Sequence, residues 1–98
     1  MAKKCESGAL LVLRERKRQI AEGHTPENDL KHHRGELAYA AASYLVRGPF
    51  HDRTPPGYWP WPDPKWKPNK KDRIAELAKA GALILAEIDR LRHVQEDL

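Results

Sequence analysis

Apolar residues recur every three or four positions through three stretches of this chain, and nowhere do they alternate with polar ones as a half-buried strand requires. The pattern is strongest in KKDRIAELAKAGALILAEIDRLRHV, where Ile74, Leu77, Ala78, Gly81, Ile84, Leu85, Ile88 and Leu91 follow i, i+3, i+4, i+7 spacing. It predicts a helix over residues 70–95, started by Asn69 or Asp72, with that stripe turned toward the core. Gly81 costs such a helix about 1 kcal/mol of propensity, and close packing against a neighbouring helix would explain it. Leu83 falls on the opposite side with Glu76, Glu87 and Arg90 and is expected at the surface or in a subunit contact.

Two earlier helices are predicted. The first covers residues 7–22, with Leu10, Leu13 and Ile20 on its apolar side and Gly23 as its stop. The second covers residues 26–47: Thr25 can cap, Pro26 suits the first position, and Glu27 meets the positive end of the dipole. It is expected to bend near Gly35, to end at Gly48-Pro49, and to carry Leu30, Leu37, Ala41 and Tyr44 inward. Its many alanines allow close approach by the third helix.

The connection over residues 48–69 breaks the pattern. It holds seven of the eight prolines and all three tryptophans, the latter within YWPWPDPKWKP. Long irregular connections in small domains are functional or disordered, and tryptophan is depleted from disordered chains. Proline stiffens the segment before it docks, so ordering it costs less entropy. The expectation is an ordered strap across an all-α, single domain spanning residues 1–98.

Size and charge sharpen this picture. A chain of 98 residues with 40% hydrophobic residues has a small apolar supply, and association of identical chains is one way to add buried area. A net charge of +4 favours anionic partners. RERKR (residues 14–18) is too short to act as a nucleic-acid arm, so direct nucleic-acid binding is not the first expectation. One cysteine, Cys5, excludes an internal disulfide and fits a reducing compartment. MAKKCESGALLVL lacks the apolar run of a signal peptide, and no segment approaches the ~20 apolar residues of a membrane span. A cytoplasmic protein is expected.

The chemistry available in the strap is aromatic and cationic. Trp59, Trp61 and Trp66 offer flat faces, with Lys65, Lys67, Lys70, Lys71 and Arg73 close in sequence. A nucleotide-type anion needs both, a ring to stack its base and cations for its phosphates. The competing explanation is that the tryptophans clamp the helices of a core-poor domain. In DLKHHRGELAYAA, helical spacing would set Asp29, His33, Glu36 and Ala40 on one side, with His32 one turn before Glu36. His33, Glu36 and Tyr39 are thus candidates to read polar groups of a base or sugar. A His–carboxylate pair can also share a metal ion, but no His-Glu-x-x-His or cysteine spacing asks for one. No phosphate loop, nucleophile elbow or other cofactor or catalytic motif occurs.

Two resemblances frame these residues. The helical layout resembles the MazG-type nucleotide pyrophosphohydrolases, which hold magnesium with Glu-Glu-x-x-Glu and a later Glu-x-x-Asp. Here Glu36 stands alone at the first place, and Lys79 follows Glu76 where the pattern needs Asp. The blocks RERKRQIAEGHTPENDLKHHRGELAYAAASY (14–44), WPWPDPKWKP (59–68) and DRIAELAKAGALILAEIDRL (72–91) resemble a family of short bacteriophage and prophage proteins. That resemblance implies a phage setting and no mechanism. In size and setting the chain is similar to phage proteins that sequester nucleotide immune signals. The leading expectation is therefore a non-enzymatic, oligomeric nucleotide binder with Trp59, Trp61, Trp66, Lys67, Lys70, Arg73, His33, Glu36 and Tyr39 at its site. The alternatives are a divergent metal-dependent pyrophosphohydrolase and a protein-binding inhibitor of a host enzyme.

Overall fold

A computed structural model describes residues 6–46 and 54–96. Cys5, Arg47, the Gly48-Pro49 stop, His51 and the beginning of the strap lie outside the described residues. Within them the fold is all-helical with no strand, built from α1 (Gly8–Ala21), α2 (Pro26–Asp29), α3 (Glu36–Leu45) and α4 (Arg73–Glu96), plus a 3-10 turn at Asp63–Lys65.

The local signals act much as their chemistry requires. Ser7 starts α1 by accepting a hydrogen bond from the Leu10 N–H at 3.1 Å. Gly23, at φ +107°, ends it with two returning bonds, Gly23 N–H to the Ile20 carbonyl and His24 N–H to the Gln19 carbonyl, each 3.0 Å. Thr25 caps α2 through the Asn28 N–H at 3.2 Å, with Pro26 at its first turn. Asp72 opens α4 by accepting from the Ala75 N–H at 3.0 Å, and Asn69 accepts from the Asp72 N–H at 3.1 Å just before it.

The single second helix expected over 26–47 is instead two helices. Gly35 adopts φ +83°, a left-handed conformation incompatible with continuing a helix, and serves as the entry to α3. Glu36 supplies what glycine cannot, accepting the Arg34 N–H at 2.6 Å. Asp29 is drawn the other way. It is buried and ion-paired to Arg16 of α1 at 3.0 Å, and Arg16 also donates to the His24 carbonyl at 3.2 Å.

Packing corrects the reading of α4. Its buried side carries Glu76, Ala80, Leu83, Ala86 and Arg90, the face assigned to solvent from sequence. Leu83, expected outside, belongs to the core with Leu37, Ala40, Ala41, Tyr44 and Trp66. Most of the stripe expected inside is outside: Ile74, Leu77, Ile84, Ile88 and Leu91 are exposed, while Ala78 is buried and Gly81 and Leu85 are half-buried; Leu10, Leu13 and Ile20 of α1 are exposed as well. Small side chains explain the inversion. Alanines let α3 and α4 approach closely, so the best-packed face is the one with the smallest residues rather than the largest. Gly81 packs against α1, not the alanine-rich helix; a Cβ there would meet the Val12 side chain at 2.8 Å.

Buried polar groups are paired. Among the described residues, no buried side-chain nitrogen or oxygen lacks a hydrogen-bond partner. Ser43 donates to the Tyr39 carbonyl at 2.8 Å, which removes the cost of its hydroxyl inside the core. No helix among the described residues is long and apolar enough to cross a membrane.

Candidate functional site

Prolines shape the segment that roofs the site. The Trp59 N–H donates to the Pro56 carbonyl and the Lys65 N–H to the Pro62 carbonyl, both at 2.9 Å, so tight turns stand where no regular structure is possible. These turns aim three indoles at α3. Trp66 is buried and stacks on Tyr44, with centroids 4.6 Å apart and planes 20° from parallel. Trp59 meets both edge-on, 5.5 Å from Tyr44 and 4.9 Å from Trp66. Trp61 stands further out, edge-on to Trp59 at 5.3 Å and against the His32 ring at 5.4 Å. Edge-to-face geometry of this kind stabilises aromatic clusters by about 0.5–1.5 kcal/mol per pair beyond their burial.

Below Trp59 and Trp61 opens a cleft of about 620 Å³, bounded by α1, the α2–α3 turn and α4. Its volume falls within the range typical of small-molecule sites. Lys65 and Lys67 are exposed at its rim. Lys79 lies on its floor, half-buried, with Nζ donating to the Lys67 carbonyl at 2.9 Å and standing 4.9 Å over the Tyr44 ring. Burial pulls the Lys79 pKa below its usual value, against the opposing pull of Glu15 and Glu76. Burial pushes the Tyr44 phenol up.

Acidic groups in the same cleft are already engaged. Glu15 is hydrogen-bonded by Arg18; burial raises its pKa, but Arg18, with help from Lys79 and Gln19, outweighs burial and holds it below normal. Arg18 reaches both Glu15 and Glu22, which raise its own pKa, the bond to Glu15 most. Glu76 is fully buried and accepts from the Asn69 N–H at 2.9 Å and from Arg73 at 3.3 Å.

The sequence candidates separate into two groups. Trp59, Trp61 and Lys67 meet in the cleft. Trp66 is core. Arg73 is turned away from it, donating to the Tyr44 carbonyl at 2.9 Å, to the Leu45 carbonyl and to Glu76, so it closes the C-terminus of α3. Lys70 is exposed beyond the cleft lining, as is His33. Tyr39 is exposed beside Tyr58, with centroids 6.5 Å apart. Glu36 sits behind the cleft, 3.7 Å from His32, which does line it. Its carboxyl is raised by burial but lowered further by the N–H groups of Glu36 and Arg34 and by the two histidines, for a net fall. The break between α2 and α3 is what scatters Asp29, His33 and Glu36.

Sequence reasoning passed over Lys79, Arg16 and Arg18 as cleft residues. Lys79 had a signal in hindsight, one turn after Glu76 and one before Leu83, but that face was assigned to solvent. No group of three or more His, Cys, Asp or Glu side chains among the described residues gathers as a metal-ligand set. Comparison with protein-family models, with curated proteins and with solved structures finds no match, so the chemistry of the cleft itself carries whatever function is read from it.

Proposed function

We propose that the protein binds a phosphorylated, nucleotide-type small molecule in the cleft and holds it without converting it. The observation that carries this reading is the cleft of about 620 Å³ with Trp59 and Trp61 on one side and Lys65, Lys67 and Lys79 around it. Trp61, outermost of the three indoles, stacks the base, and His32 beside it meets a polar group of base or sugar. Lys67 and Lys65 meet phosphate from the rim, and Lys79 from the floor. The basic net charge adds long-range attraction for such an anion.

Holding, rather than hydrolysis, is favoured by the occupation of the carboxylates. Glu76 is committed to Asn69 and Arg73, and Glu36 to the Arg34 N–H just before α3. The biological setting we propose is a bacteriophage protein in the cytoplasm of an infected cell, sequestering a nucleotide immune signal. Its support is the resemblance of blocks 14–44, 59–68 and 72–91.

The test is binding followed by recovery. The protein is mixed with cyclic dinucleotides and ADP-ribose derivatives, freed of unbound ligand, heated, and the released molecules identified with and without magnesium. Intact ligand, released at one molecule per cleft, is expected. Magnesium-dependent product would overturn sequestration and favour the pyrophosphohydrolase. Absence of any tryptophan quenching or thermal shift would leave the strap as a surface for a host protein.

A further inference from the structure

The wall of the cleft formed by α1 and α2 carries three buried polar side chains whose hydrogen-bonding capacity is only partly used. Arg16 is 7% exposed, Gln19 5% and Asp29 2%, and all three line the cleft. Arg16 donates through one terminal nitrogen to the His24 carbonyl at 3.2 Å and through the other to Asp29 Oδ2 at 3.0 Å. Its Nε–H and Asp29 Oδ1 take no partner among the described residues. Gln19 makes one long contact, donating from Nε2 to Glu15 Oε2 at 3.4 Å. That contact sets the amide's orientation, because its oxygen would be repelled by the carboxylate, and Gln19 Oε1 is left without a partner. No fully enclosed side-chain nitrogen or oxygen among the described residues lacks a partner, so these three atoms are still open to a cavity. A role confined to tying α1 to α2 uses the Arg16–Asp29 bond and accounts for none of the three. It also gives no reason to bury a glutamine one turn along from Arg16 on the same wall.

We propose that Arg16, Gln19 and Asp29 form a base-reading subsite selective for guanine. The assignment rests on the nucleotide reading of the cleft and deepens it. The His32 N–H donates to the Asp29 carbonyl at 3.0 Å and the His32 ring stands 5.4 Å from Trp61, so the trio adjoins the indole that stacks the base. With Asp29 neutralising Arg16, the subsite has no net charge with which to compete against Lys65, Lys67 and Lys79 for phosphate.

The donors and acceptors on offer select the base. The subsite presents one guanidinium donor group and two acceptors, the Gln19 and Asp29 oxygens. Its complement is an edge with one strong acceptor beside two donors. Among the common bases guanine alone has such an edge: O6 accepts, while N1–H and the N2 amine donate. Adenine has one amine beside a ring acceptor, cytosine one amine beside two acceptors, and uracil one N–H between two carbonyls. Each of these leaves at least one of the two protein oxygens unpaired. The bidentate pairing by which glutamine reads adenine is closed here, because Gln19 Nε2 is turned to Glu15.

The test is calorimetric titration of the full chain with guanosine, inosine and adenosine monophosphates. Inosine keeps O6 and N1–H and lacks only the N2 amine. The guanosine compound should bind tightest, the inosine compound about tenfold more weakly and the adenosine compound about 100-fold more weakly. Gln19→Leu should then reduce the preference for guanosine over adenosine by about tenfold. Arg16 and Asp29 are kept intact, since removing one partner of a buried ion pair endangers the fold. The ligand comparison is made on unaltered protein, so it decides the matter even if Gln19→Leu fails to fold. Equal affinities, or tighter binding of adenosine, overturn the guanine subsite and leave nucleotide binding standing. An equal loss for all three ligands in a folded Gln19→Leu protein makes Gln19 a packing residue and overturns its part in the subsite. If none of the three binds, the guanine subsite falls, and recovery of cyclic dinucleotides or ADP-ribose derivatives decides the nucleotide reading separately.

Discussion

At the scale of single residues, the three tryptophans separate into packing and recognition by how far each stands from Tyr44. Trp66 is stacked in the core, so Trp66→Ala should cost about 3–5 kcal/mol, measured by denaturant unfolding. Trp61 lies at the edge of the cluster. Trp61→Ala should leave a folded protein with weaker ligand binding, by ~1–3 kcal/mol in a fluorescence or calorimetric titration. A Trp61→Ala protein that binds normally would make the strap purely structural. Lys79 gives a pH signature. Its folded-state pKa is depressed, so it loses its proton at lower pH in the native protein than in the unfolded chain. Between those two values the unfolded chain binds more protons, and stability contributed by this group rises with pH. Anion binding has the opposite sense, because the deprotonated amine no longer attracts phosphate. Affinity should therefore fall as pH rises through the native Lys79 value, and Lys79→Met should flatten that part of the profile in a titration series.

At the scale of elements, the points that the sequence made legible were those ruled by local chemistry. Gly23, Thr25-Pro26 and Asp72 each act where their side chains or backbone freedom require. Gly35 was legible as a bend but not as a full break, because the pull of the buried Arg16–Asp29 pair is a contact between elements. The orientation of α4 was illegible for a related reason. Periodicity identifies the most apolar face, while packing in one chain went to the face with the smallest residues, Ala80, Ala82 and Ala86. Those residues carry little hydrophobic weight in any pattern, and Glu76 and Lys79 on the same side disguised it further. The cleft was half legible for the same reason, since its aromatic half is contiguous in sequence and its α4 half is not. The Gly81–Val12 contact offers an element-scale test. Gly81→Ala gains up to about 1 kcal/mol of helix propensity, but its methyl would meet Val12 at 2.8 Å, and overpacking costs about 1–3 kcal/mol. A net loss of melting temperature is expected. Adding Val12→Ala should recover much of it, and a Gly81→Ala protein more stable than wild type would refute the close crossing of α1 and α4.

At the scale of the whole molecule, α4 divides the labour. One side forms the floor of the cleft through Glu76, Lys79 and Leu83, and the opposite side carries the aliphatic stripe. A chain of this size has too little apolar surface to finish a core and line a ligand site with the same face. Because the exposed aliphatic side of α4 lines no part of the cleft, substitutions there and ligand binding should be separable. The Ile84→Glu variant should retain a nucleotide affinity within about threefold of wild type, since a site on the far side of a rigid helix with no shared partners behaves additively. Tryptophan quenching by the same ligand in both proteins measures this. Complete loss of binding in a folded Ile84→Glu protein would mean that the exposed side of α4 takes part in the site, and the cleft would then have to be redrawn to include it.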